Sequence, residues 1–183
     1  MARNTLSRSL HDVGLAAWFG GSLANAIALN AAAGTVSNPA ERGRVANAGW
    51  DRWTPVNLAA IGAHIAGSVG QLGGNQGRLA AQQGVGEMAA VKTGLTAAAL
   101  GVTAYSRVLG RRVSRHGDIP VESGAEPMPG TPADAAKAQR QLRYLQWVVP
   151  ALTGALVVVT SFAGEQQRHN EVKKGTLRRL LPV

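Results

Sequence analysis

The chain has no cysteine, so disulfides, thiolate metal sites and cysteine nucleophiles are all excluded. Charge is also scarce: 16% of residues are Asp, Glu, Lys or Arg, against about 25% in soluble domains. Aromatics amount to two Phe, two Tyr and four Trp in 183 residues. The motifs of common enzyme chemistry are missing as well. There is no H-E-x-x-H pair for zinc, no phosphate-binding P-loop and no serine elbow. The glycines of 70–77 follow no strand and precede no Lys, which removes a phosphate cradle there.

Apolar bulk comes instead from Ala, Val and Leu, threaded with 23 Gly. A water-soluble core of Ala and Gly buries little area per residue and is marginal. Membrane helices use the same residues well, because small side chains let backbones approach and packing replaces the hydrophobic drive. Charged residues are nearly absent from four stretches: 13–40, 53–77, 88–106 (broken only by Lys92) and 144–164, the last containing Ala155-Leu156-Val157-Val158-Val159. Each approaches the ~20 residues that cross a bilayer as helix, and none alternates with period two.

The expectation is an all-α bundle of four transmembrane helices in one domain, with spans at about 11–33, 54–74, 88–107 and 144–164. The second span is the weakest, since Asn57, His64 and Gln71 sit among its glycines; a soluble Ala-rich bundle is the alternative. A cleaved signal peptide is a second reading of the first stretch, but its uncharged run exceeds the usual ~7–15-residue apolar core. Between the third and fourth spans, residues 117–134 combine Pro120, Pro127, Pro129 and Pro132 with Asp118, Glu122 and Glu126, a composition that predicts a mobile linker. The basic tail 166–183 reads as a surface-lying amphipathic segment.

Net charge is +9. The basic residues flank the apolar stretches, as topology signals and headgroup contacts do, and no nucleic-acid-binding fingerprint accompanies them. With four spans, eight Lys or Arg fall on one side and ten on the other, so orientation stays open. The expected setting is the cell membrane, crossed several times, with the lipid bilayer as first partner and a protein partner or second copy as a further one.

Polar residues within the spans recur at seven-residue steps, which return to nearly the same helix face: His11, Trp18 and Asn25; Asn57, His64 and Gln71; Gln146, Thr153 and Thr160. Lys92, Thr96 and Thr103 add a third-span seam. Such seams either glue helices together or line a site for a small molecule or ion. Small residues at four-residue steps, Ala16-Gly20-Ala24-Ala28 and Gly62-Ala66-Gly70-Gly74, point to a tight pair of the first two helices. With the junction levelled at Ala33 and Thr54, His64 falls opposite Asn25, and His11 lies about 15 Å away along the axis at ~1.5 Å per residue. Asn25 and His64 are then expected to face each other. That register also excludes a haem held by both histidines, and no cofactor or metal is expected. The candidate ligand-binding residues are His64, Asn25, Asn57, Gln71 and Thr153; no catalytic residue stands out.

The stretch from His11-Asp12 to Trp18-Phe19-Gly20-Gly21 resembles the first helix of four-helix membrane families, among them the copper-resistance-D-like and anthrone-oxygenase-like proteins. Residues 42–50, followed by Trp53-Thr54-Pro55-Val56-Asn57, look like a segment of uncharacterised membrane proteins from high-GC actinobacteria. The resemblance covers about a third of the chain and implies the architecture alone, since the Met and additional His ligands of a copper transporter are missing. The function expected is binding of a partner protein or lipophilic small molecule in a polar seam, with a membrane enzyme acting on a lipid-like substrate as the alternative.

Overall fold

In the computed structural model, which describes residues 4–74, 76–77 and 84–165, the chain is all-α apart from one short hairpin. Helix α1 spans Thr5–Gly34 and includes a π-helical stretch, Asn25–Leu29. Helices α2 (Pro39–Gly74), α3 (Val85–Ser114) and α4 (Ala133–Glu165) complete a four-helix bundle. α1 lies along α2 and α3 along α4, and α1 against α4 joins the two pairs. The basic tail 166–183 lies outside the described residues.

Helix α2 begins far earlier than the uncharged run suggests. Pro39 occupies a first-turn position, where its missing N–H is no loss, and the Asn38 side-chain oxygen accepts from the Ala40 N–H at 3.1 Å. The chain therefore turns at 35–38, and α2 starts about four turns before Thr54. Its first half carries Glu41, Arg42, Arg44, Asp51 and Arg52 and extends the bundle beyond its apolar part.

Of the four expected spans, α1 and α4 are long and apolar enough to cross a membrane, and among the described residues no other helix is. Charge in the first half of α2, and Glu87, Lys92 and many Ala, Gly and Thr in α3, account for the difference.

Residues 117–134, expected as a mobile linker, are folded onto the bundle. Strands β1 (Val121–Ser123) and β2 (Glu126–Pro127) pair antiparallel. Ile119 and the wholly buried Val121 pack with Leu109 and Val113 of α3 and Ala135 and Ala138 of α4. Thr131 donates to the Pro120 carbonyl at 2.6 Å, the Gln139 amide to that of Ser123 at 3.4 Å. Arg42 reaches the hairpin from α2, pairing with Glu122 at 3.6 Å, and Arg143 pairs with Glu126 at 3.3 Å from α4. Pro129 lies in a turn and Pro127 in β2, and Ile119, Val121 and Ala125 are buried beneath the cap.

Candidate functional site: a buried imidazole pair

The close crossing of α1 and α2 creates the site. A Cβ placed on Gly14 would stand 2.5 Å from both the Ala60 carbonyl oxygen and the His64 backbone nitrogen, and one on Gly67 would collide with the backbone of His11 and Ser7. Glycine at both positions brings the backbones into contact. Gly70 and Gly74 of the expected small-residue stripe also lie against α1, at Ser7 and Asn4, whereas Gly20 and Gly62 face open space.

This crossing sets His11 beside His64. Both are fully buried, and their ring centroids lie 4.6 Å apart with the planes tilted by 45°. The 15 Å separation expected from the sequence is overturned, because the early start of α2 slides the helices past one another. The two rings nevertheless cannot be opposite axial ligands of one haem, since rings in contact leave no room for a porphyrin between them. Trp18, also fully buried, meets the His64 ring edge-on at 6.1 Å.

Each imidazole has one nitrogen hydrogen-bonded to a side chain, and the His11 backbone also lies against the His64 ring. His11 Nδ1 donates to Asp12 Oδ1 at 2.7 Å. A carboxylate only accepts, so in the neutral ring Nε2 holds the lone pair. His64 Nε2 lies 3.3 Å from the Thr96 hydroxyl of α3. His11 Nε2, His64 Nδ1 and the Trp18 indole nitrogen are buried without a hydrogen-bond partner. Asp12 and the half-buried Lys92 are the other charged groups in electrostatic reach of both rings.

Of the candidate residues, His64 alone belongs to this cluster. Asn25 does not face it: with His64 beside His11, Asn25 lies fourteen residues farther along α1, about 21 Å away, and its amide donates to the Gly21 carbonyl at 2.9 Å. Asn57 and Gln71 share the inward face of α2 with His64, about 10 Å to either side of it. The Thr153 hydroxyl is buried but donates within its own helix, to the Val149 carbonyl at 2.8 Å. His11, Trp18 and Thr96 are members the sequence reading set on seams without bringing them together. The Asn38-Pro39 helix start was the signal that would have corrected the register.

A second polar cluster joins α1, α2 and α4 near the hairpin cap. The buried Asn30 donates to Gln146 Oε1 at 2.8 Å and accepts from the Trp50 indole at 3.0 Å. Its members satisfy one another, whereas the imidazole pair keeps buried nitrogens without a hydrogen-bond partner.

Set against protein-family models, curated proteins and solved structures, the chain matches none of them.

Proposed function

We propose that this is a multi-pass integral membrane protein whose polar interior, centred on His11 and His64, binds a lipophilic small molecule. The observation that carries the reading is an inversion of the usual burial. Leu6 and Val13 on α1, Leu58 and Val69 on α2, and Val158 and Phe162 on α4 are each more than half exposed, while His11, Ser22, His64 and Thr153 are buried. Water disfavours such a surface, whereas lipid disfavours the reverse. α2 and α3, less apolar than the other two, turn polar and small residues inward and lean on α1 and α4 for their place in the bilayer.

Trp50, Trp53, Tyr105, Tyr144 and Trp147 fall between the apolar part of the bundle and its charged end, as an interfacial aromatic belt does. The hairpin cap and the charged starts of α2 and α4 then stand outside the lipid.

The alternative, a membrane enzyme acting on a lipid-like substrate, draws on the Asp12–His11 hydrogen bond, a carboxylate holding an imidazole in one tautomer as general bases require. Two measurements test the proposal. The protein should stay in the membrane pellet after carbonate washing, and gently solubilised protein should carry a lipophilic molecule, identified by mass spectrometry, that His64→Gln loses. Release into the wash, or identical bound lipophiles in both proteins, would refute it.

A further inference from the structure

We infer that His11 and His64 together hold a single first-row divalent transition-metal ion of the zinc, cobalt and nickel kind. The inference rests on the ligand-binding reading of this site and assigns the ion as the resident group on which a lipophilic molecule's donor atom would sit.

The first support is the division of labour in each ring. Metal-binding histidines use one nitrogen for the ion and give the other to an orienting carboxylate, carbonyl or hydroxyl. His11 has this arrangement, with Asp12 on Nδ1 at 2.7 Å and Nε2 bare. His64 repeats it from a second helix, with Thr96 on Nε2 at 3.3 Å and Nδ1 bare. Two buried, partnerless nitrogens in adjacent rings are costly unless something fills them.

The second support is spacing. Metal–nitrogen bonds of about 2.0–2.1 Å at roughly right or tetrahedral angles put two ring centroids on one ion about 4.5–5 Å apart. The observed separation is 4.6 Å. Imidazole nitrogens favour zinc, nickel, cobalt and copper over magnesium or calcium.

Among the described residues no group of three or more His, Cys, Asp or Glu surrounds this point. Of the described residues His11 and His64 supply two ligands, and the remaining positions are open to further donors, as in catalytic rather than structural metal sites. Lys92 is the adverse charge, and Asp12 offsets it at both rings. Trp18 closes the site against water on one side.

The test uses the full chain in detergent, carrying a tag without histidine and the substitutions His116→Gln and His169→Gln. Of the four histidines, His11 and His64 then remain. After chelator treatment and its removal, Co(II) is titrated and the visible ligand-field bands are followed. One ion per chain is expected, with binding abolished in the His11→Gln, His64→Gln double variant and weakened about 10–100-fold in Asp12→Asn. No saturable cobalt spectrum in the parent, or an unchanged titration in the double variant, overturns the inference. Should the double variant fail to fold, Asp12→Asn decides: its side chain is 60% exposed, so the fold tolerates it, and unchanged affinity refutes the site. A protein that stays in the membrane and carries a His64-dependent lipophile, yet takes up no cobalt, defeats this inference alone. Release by carbonate with cobalt binding intact defeats the membrane reading alone.

Discussion

The Trp50 indole donates its hydrogen to Asn30 Oδ1 across 3.0 Å, and through this bond the charged half of α2 is locked to the end of α1. Asn30 passes the connection on to Gln146 of α4. Trp50→Phe should therefore leave Asn30 short of a donor and lower stability by about 1–3 kcal/mol. Asn30→Leu should lower it further, since it strands both Trp50 and Gln146. Thermal unfolding in detergent, followed by helical circular dichroism, checks both.

Glycines that look alike in sequence should behave oppositely. Gly14→Ala pushes a methyl group into the α2 backbone and is expected to destabilise by about 1–3 kcal/mol, as overpacking does, and to separate His11 from His64. Gly62→Ala meets nothing within 4 Å and should be neutral or stabilising by up to about 1 kcal/mol through helix propensity. Equal effects of the two substitutions would contradict the close crossing.

The hairpin cap should resist proteolysis. Glu122 and Glu126 offer cleavage points to a Glu-specific protease, but they are held between Arg42 and Arg143 over the buried Val121. Native protein in detergent is expected to be cut there slowly. Val121→Asp, which drives a carboxylate into the cluster with Leu109 and Val113, should speed that cleavage at least tenfold while the four helices stay helical. Rapid cutting of the native chain at these two sites would show that the cap is loose.

One hydrogen bond beside the cap gives a pH signature. His116 Nε2 donates to Asp134 Oδ2 at 2.8 Å, and chiefly this hydrogen bond holds the Asp134 carboxyl below its ordinary value. A carboxyl lowered on folding adds stability above its unfolded value, and that addition fades as pH falls through the folded one. The difference in midpoint between the native chain and Asp134→Asn is expected to be present near neutral pH and to fade in acid, as pH falls through the lowered folded value. The pair is exposed, so the difference should be small. A constant offset down to strong acid would indicate another cause.

The four helices were legible because Ala-, Val- and Leu-rich runs without charge can hardly be anything else, and the inward seam of α2 was legible because Asn57, His64 and Gln71 recur on one face. The pairing of histidines was hidden by a single boundary. Levelling the junction at Ala33 and Thr54 leaves 34–53 as a connection, although its charges, Glu41, Arg42, Arg44, Asp51 and Arg52, are compatible with helix and Asn38-Pro39 marks the start of one. Residues 117–134 misled for a related reason: composition weighs prolines and acids by number, whereas the burial of Ile119 and Val121 against α3 and α4 decides that the segment packs.

The π-helical stretch Asn25–Leu29 carries the last lesson of the register. Inward positions on α1 run His11, Trp18, and then Ala26 and Ala33, one residue later than the sevenfold step that would select Asn25 and Ala32. The stretch accommodates one surplus residue, and each residue is worth about 100° of helical phase. It works as a phase adjuster: removing Ala28 would restore an ordinary helix but swing Asn30 by that angle, away from Trp50 and Gln146. The two ends of α1 could then no longer face the bundle together, so the imidazole pair and the anchoring of the cap both depend on one extra residue between them.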